Sequence, residues 1–253
     1  MKTGKHEMIV LSSNDEKEVF GAFTKALKTT PIPDEEILQN LGLYLTSKAF
    51  ARLLFFYEIY RKIVNSHGII AEFGVRWGQT LSILSALRGI LEPYNRHRKI
   101  VGFDTFSGFT GMDTKRDGKL SKCTDGSFSV SPDYEDYLAL IMTLQEQLNP
   151  MAHIRRFELI KGDAVSTVPA YFKKNPHTIV SLAIFDFDIY KPTKVALEAI
   201  KPHLTKGSIL VFDELSDDIF PGETVALDEV FGLNNVRIKR FPMTARVSYM
   251  EIE

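Results

Sequence analysis

Residues 68–84, GIIAEFGVRWGQTLSIL, join a short apolar run, an acid, two glycines and the start of an apolar-periodic segment. A buried strand that ends in a polar tip and turns directly into a helix is the repeating unit of a parallel sheet. The glycines suggest half of a nucleotide-binding loop. A dinucleotide fingerprint needs glycine-x-glycine-x-x-glycine, but Val75, Arg76 and Trp77 fill the interval between Gly74 and Gly78. With Glu72 as a carboxylate near the strand end, the loop favours a ligand without phosphate.

The same unit recurs downstream. KIVGFDTF (99–106), FELIKGDA (157–164), TIVSLAIFDFD (178–188) and GSILVFDE (207–214) are apolar runs with acidic tips. TLSILSALRGIL (80–91) and TKVALEAIKPHL (193–204) read as helices between such runs. The pattern predicts an α/β fold with a mostly parallel sheet covered by helices on both faces. NVRIKRFP (235–242) and ARVSYMEIE (245–253) have no helix between them and predict a closing antiparallel hairpin.

Upstream, residues 14–29 read as a helix that stops before the prolines at 31 and 33. Asp34 is expected to cap a second helix, with Ile37, Leu38, Leu41 and Leu45 at helical spacing. A third, SKAFARLLFFYEIYRKIV (47–64), is expected to bury Phe50, Leu53, Leu54, Tyr57 and Val64. Residues 1–65 therefore form an amino-terminal helical extension and 66–253 the sheet domain. The extension's apolar stripe needs a partner, its own sheet or a second subunit, and a homodimer is expected. Residues 105–135, polar and glycine-rich, interrupt the α/β rhythm and are expected to act as a lid over the ligand, ordered by it.

Composition narrows the function classes. The 253 residues are 44% hydrophobic and 25% charged with net charge −1, so no bulk basic field recruits nucleic acid. Cys123 is the single cysteine, which excludes an intrachain disulfide and a multi-cysteine zinc cage and suits a reducing compartment. The apolar core of MKTGKHEMIVLSSNDEKE is too short for a signal peptide, and the run IVSLAIF is far below membrane-spanning length. A soluble cytoplasmic protein is expected.

In such sheets ligands sit beyond the carboxyl ends of the strands. The tips carry Glu72, Asp104, Asp163, the pair Asp186 and Asp188, and the pair Asp213 and Glu214. Each acid taken singly could be a turn or helix cap. Together they point to a site for cations and hydroxyls, and Asp104 at the second tip could accept both hydroxyls of a ribose. S-adenosylmethionine fits, with an amino-acid end, a ribose, an adenine and no phosphate.

The segments GIIAEFGVRWGQTLSIL, VGFDTFSGF (101–109), DGSFSVSPDYEDYL (125–138) and AIFDFDIYKPTKVALEAIKPHLTKGSILVFDE (183–214) resemble the macrocin O-methyltransferase-like family. These are class I, Rossmann-like, S-adenosylmethionine-dependent enzymes that methylate sugar hydroxyls of natural products. The likeness spans residues 66–232. It implies that Glu72, Gly74 and Gly78 shape the methionine end of the cofactor pocket, that Asp104 holds the ribose, and that Asp163 and Ala164 border the adenine. It further implies that Asp186, Asp213 and Glu214 hold a magnesium ion or another hard divalent cation, and that Asp188 lies beside the acceptor hydroxyl, with Asp186 sharing the catalytic work. The chain departs from the pattern at Phe187, usually a small residue, and at Glu214, usually aspartate.

This chemistry agrees with the residue types. A sugar hydroxyl is a weak nucleophile at neutral pH, and a hard cation on oxygen ligands helps to remove its proton. The six histidines show no metal-ligand spacing. Lys115, Arg116, Lys119 and Lys122 in the insert suit either a solvated loop or a sugar bearing a diphosphate. Two other readings stand beside this one: a metal-dependent methyltransferase of catechol-type aromatics, and a catalytically silent binding protein on the same fold. The incomplete phosphate loop disfavours an NAD oxidoreductase.

Overall fold

The computed structural model describes residues 13–113, 115–117, 124–244 and 246–253. The start of the chain discussed above, Lys119, Lys122 and Cys123 lie outside the described residues. Among the described residues, seven strands form one sheet: β1 (Ile69–Phe73), β2 (Ile100–Asp104), β3 (Phe157–Lys161), β4 (Val180–Phe185), β5 (Leu204–Phe212), β6 (Ile238–Arg240) and β7 (Ser248–Glu251). Their order is β3-β2-β1-β4-β5-β7-β6. The first five are parallel, and β7 runs antiparallel between β5 and β6, which is the expected hairpin. Among the described residues, no helix is long and apolar enough to cross a membrane.

The strands are apolar on both faces because helices cover both. Ile70, Ile100, Leu182, Ile184, Ile209 and Val211 face α3 (Ser47–Ile63), α4 (Gln79–Leu91) and α5 (Tyr134–Gln147). The alternate residues Ala71, Val101, Ala183 and Leu210 face α6 (Ala164–Lys174), α7 (Tyr190–Ile200) and α8 (Gly222–Phe231). This period-two division is what a doubly covered sheet requires.

The last apolar residue of each central strand is a phenylalanine. Phe73 is in register with Phe103 on β2 and Phe185 on β4, and Phe185 with Phe212 on β5. Their rings stack across the sheet with centroids 5.3, 5.0 and 5.0 Å apart. Each such pair adds about 0.5–1.5 kcal/mol beyond burial. The ladder brings the next residues, Gly74, Asp104, Asp186 and Asp213, to one level.

The opposite edge of the sheet is held by buried polar bonds. Arg98 donates to the carbonyls of Ile63, Ser66 and Gly68 at 2.8, 2.7 and 2.6 Å and to both carboxylate oxygens of Glu92 at 2.7 and 3.0 Å. Tyr60 also donates to Glu92, at 2.7 Å. Residues from α3, α4 and the entries to β1 and β2 are thus tied together.

The amino-terminal region departs from expectation in two places. Asp34 begins a four-residue helix, α2 (Asp34–Ile37), and does not cap it: Pro33 is the N-cap, without a side-chain bond, and a 3-10 helix, Leu38–Tyr44, follows. In α3 the buried side chains are Phe55, Phe56, Ile59, Tyr60 and Ile63, whereas Phe50 and Tyr57 are exposed. The run Leu53-Leu54-Phe55-Phe56 lets two adjacent stripes fit the same helix, and contact with the sheet selects the later one. α3 shares a core with α4 and β1, so it is part of the sheet's covering layer. α1 (Asn14–Lys28) buries none of its residues.

The described parts of the insert are anchored. Phe106 and Val130 enter the core, and Phe109 and Ser127 pair through their backbones, Phe109 donating at 3.0 Å. Buried Asp117 accepts the Tyr190 amide at 2.5 Å, which caps α7 from a distant part of the chain. Arg116 stacks on Tyr190 and pairs with Asp113 and Glu229, so it is engaged within the fold.

Phe73→Ala should destabilise the protein by about 3–5 kcal/mol, because it opens a cavity in the middle of the ring ladder. Urea denaturation checks this, and a loss well under 1 kcal/mol would show that the ladder is decorative. Burial pushes the Glu92 carboxyl up, but the bonds from Arg98 and Tyr60 outweigh burial and hold its pKa below 4.5. Its stabilisation is therefore complete above the unfolded pKa and fades as pH falls through the folded value. Thermal melts between pH 7 and 3 should show a steeper acid loss in the wild type than in Glu92→Gln.

Candidate active site

The strand order reverses between β1 and β4, and a crevice opens beyond their carboxyl ends. The two tips touch there. Gly74 has φ +99°, and a Cβ on it would stand 2.0 Å from the Asp186 carbonyl oxygen. Gly78 has φ +74°, is the N-cap of α4, and would clash with Leu138 if it carried a side chain. The two glycines of the opening stretch thus serve close backbone approach and the turn into α4.

A cavity of about 440 Å³ fills the crevice. It is lined by Glu72, Gly74, Asp104, Asp163, Ala164, Asp186, Asp188, Asp213 and Glu214. Of the candidate cofactor, metal and catalytic residues, Gly78 is not in the wall, although its neighbours Trp77 and Gln79 are, and the insert's Lys115 and Arg116 do not line it either.

Several tip acids have local roles too. Asp104 accepts the amides of Val75 and Arg76 on one oxygen, at 2.7 and 2.8 Å, and that of Phe106 on the other, at 2.6 Å. It therefore clamps the glycine loop onto β2 as well as facing the cavity. Asp163 accepts the Val165 amide at 2.9 Å as the N-cap of α6, so this acid caps a helix while also lining the cavity. Glu72 is 1% exposed and its Oε2 has no partner. Burial, then the nearby Asp186, raises its pKa well above the usual range.

Asp186, Asp188 and Glu214 form a group in which one carboxylate oxygen from each lies within 4.8 Å of the others. β4 ends at Phe185, so alternation along an extended strand does not place Asp186 and Asp188 together. A turn does, with Asp188 at φ +62°. Capping does not explain these acids either. α7 is capped by Asp117, and Asp217, not Asp213, accepts the amides of Ile219 and Phe220. Burial and mutual repulsion raise the pKa of all three members. Glu214 Oε2 is buried without a partner, as is Oε1 of Glu223, a fully buried acid whose other oxygen accepts the Glu214 amide. Buried oxygens left in this state favour a bound cation, and an all-carboxylate set suits a hard divalent ion.

Asp213 is placed differently from the sequence expectation. Its Oδ1 accepts a bond from Arg52 at 2.9 Å, and the same guanidinium reaches Thr80 Oγ1 at 3.1 Å and Asp186 at 3.3 Å. On the far side Arg246 pairs with Glu214 at 3.2 Å. Sequence reading passed over Arg52, Asp117, Glu223 and Arg246. Arg52 had a signal: it continues the stripe 55/56, 59/60, 63 one turn earlier, a cation in line with a buried face. Asp117 and Glu223 had none, because their partners are distant in the chain.

Searches against protein-family models and against curated proteins return no match. Solved structures do match. Calicheamicin methyltransferase CalS11 is 40% identical with a TM-score of 0.91, the alignment covering 99% of each chain. The apo structure of CalS11, described as a TDP-rhamnose 3'-O-methyltransferase of calicheamicin biosynthesis, gives 39% identity and a TM-score of 0.84 over 96% of each chain. The O-methyltransferase NovP, 16% identical over 80% of this chain and 79% of its own with a TM-score of 0.59, shares the fold. With its β3-β2-β1-β4-β5-β7-β6 sheet and identity to CalS11 over nearly its whole length, the chain belongs to the macrocin O-methyltransferase-like family of S-adenosylmethionine-dependent sugar O-methyltransferases.

Proposed function

We propose that the protein methylates a hydroxyl of a nucleotide-linked deoxysugar in the biosynthesis of an antibiotic-type natural product, with the help of a divalent cation. The observation that carries this reading is the Asp186, Asp188 and Glu214 group in the same cavity as Glu72 and the glycine loop. The likeness to CalS11, whose acceptor is TDP-rhamnose, supports a nucleotide-linked acceptor over a catechol.

When bound, S-adenosylmethionine supplies an electrophilic methyl group on a sulfonium. A magnesium ion, when bound, lowers the energy of a negatively charged oxygen beside it. The unpartnered Oε2 of Glu72 is an acceptor for an α-ammonium group. Asp104 and the pair Asp163 and Ala164 border the ribose and the adenine. Asp186 and Glu214 would hold the cation, and Asp188, in the same acidic group, would take the proton from the acceptor hydroxyl. Burial raises the proton affinity of Asp188, a bond with Glu214 lowers it, and Asp186 raises it again.

Formation of S-adenosylhomocysteine should be measured across TDP-linked deoxysugars, free sugars and catechols, with magnesium and after EDTA. Turnover is expected with a TDP-sugar and magnesium, and Asp188→Asn should lower kcat by roughly 100- to 10,000-fold while cofactor binding persists. Turnover of catechols alone, or full activity after EDTA, would sink the corresponding part.

We propose further that two copies associate through the amino-terminal helices. Val19 and Phe20 on α1 are 69% and 64% exposed, and Leu38, Leu43 and Phe50 nearby in sequence are also exposed. Large apolar side chains exposed along one region of the chain suit a surface that a partner covers. Light scattering at micromolar concentration should report a dimer or a larger assembly that Phe20→Glu weakens, and a wild-type monomer would refute the association.

A further inference from the structure

Among the described residues, seven acids line the cavity but only four cations do, Lys48, Arg52, Arg76 and Arg246. Arg52 is committed to Asp186 and Asp213, and Arg246 to Glu214 and Asp217. Lys48 is exposed. Arg76 is partly buried, has no acid partner among the described residues, and keeps its Nε buried without an acceptor. Its backbone amide donates to Asp104 at 2.8 Å, while its side chain lies over the Phe128 ring, Cζ 5.0 Å from the centroid. Phe128 packs in turn on Phe109 and Phe220, with centroids 5.1 and 6.3 Å apart, and all three rings line the cavity. Phe220 lies 6.0 Å from Cζ of Arg246, the arginine paired with Glu214. An aromatic wall thus runs from the acidic group to an arginine that still has donors to offer. Arg76 at φ +48° and Phe128 at φ +61° both hold the left-handed conformation, a cost that persists where the surroundings impose it and that clusters at ligand clamps.

A diphosphate-linked sugar brings negative charge into a cavity dominated by carboxylates, and that charge is costly to bury unpaired. We propose that Arg76 binds the diphosphate of the acceptor and that Phe109, Phe128 and Phe220 form the wall against which the deoxysugar packs. The inference rests on the nucleotide-linked acceptor proposed above and assigns residues to it. A guanidinium can give two parallel bonds to one phosphate, and the Phe128 ring beneath it fixes the plane of that fork before the ligand arrives. A deoxysugar has C–H and methyl groups in place of hydroxyls, so it loses little by leaving water for phenyl rings. The hydroxyl to be methylated then faces the acids beside Phe220, and the anomeric diphosphate faces Arg76. The cofactor's carboxylate is the other anion in need of a cation, but the guanidinium that acts on Glu72, at the methionine end, is that of Arg52. Lys115 and Arg116, the described cations of the insert, do not line the cavity.

Calorimetric titration of the full chain with TDP alone, in the presence of S-adenosylhomocysteine, tests this without turnover. Arg76→Gln should weaken TDP binding by roughly 10- to 100-fold, as expected for the loss of charge-assisted bonds. It should raise KM for a TDP-deoxysugar in parallel, change kcat by less than about threefold, and leave S-adenosylmethionine affinity unchanged. Arg76→Lys keeps the charge without the fork, so it should fall between wild type and Arg76→Gln, and it carries the test if Arg76→Gln does not fold. Phe128→Leu should raise KM several-fold through the unsupported arginine, and Phe128→Tyr should restore it. A folded Arg76→Gln that binds TDP as well as the wild type does overturns the proposal. Weaker S-adenosylmethionine binding with unchanged TDP affinity assigns Arg76 to the cofactor and equally overturns it. A wild type that binds no TDP removes the nucleotide-linked acceptor itself, and this inference with it.

Discussion

Four stacked phenylalanines at the ends of adjacent parallel strands set the level at which everything else in this protein happens. Phe103, Phe73, Phe185 and Phe212 are in register, and in three cases the next residue is an aspartate. A slip of one residue in any strand would break the ring contacts and turn that strand's side chains to the wrong face. The ladder therefore fixes register for packing reasons and, as a consequence, delivers Asp104, Asp186 and Asp213 to a common floor. Gly74 completes the arrangement, because only a residue without Cβ lets the β1 tip lie against the Asp186 carbonyl.

That delivery creates an electrostatic problem. Glu72, Asp186, Asp188, Asp213, Glu214 and Glu223 crowd one end of the sheet, several of them fully buried. Carboxylates so placed either keep protons or acquire cations. Two arginines answer part of the demand, Arg52 from before the first strand and Arg246 from the closing hairpin, each paired with a member of the cluster. Burial first, and then the mutual repulsion that those arginines leave uncompensated, raises the proton affinities of Asp186, Asp188, Glu214 and Glu223.

The insert between β2 and α5 enters the same arrangement from another side. Its expected character was that of a lid, and its described residues are fastened to the body through Phe106, Val130 and Asp117. Asp117 supplies the cap that α7 lacks from its own sequence, since Ile189 at the N-cap position has no side-chain oxygen. The turn that carries Asp186 and Asp188 is thereby held between the phenylalanine ladder and a carboxylate from the insert.

Much of this was written locally. Apolar runs of five or six residues with acidic tips determined the parallel sheet, because strands covered on both faces admit no polar alternation. The same runs determined the floor of the cavity, since a tip residue goes wherever its strand ends, and the interval between Gly74 and Gly78 already disfavoured a pyrophosphate ligand. The tertiary structure decided what the acids touch. Whether Asp213 meets a cation or Arg52, whether Asp188 joins Asp186, and which stripe of α3 is buried depend on contacts between segments far apart in the chain. Periodicity cannot choose between two overlapping stripes in Leu53-Leu54-Phe55-Phe56, and alternation says nothing about a turn at positive φ. Those choices belong to packing and to charge pairing, which act through space and leave no spacing in the sequence to read.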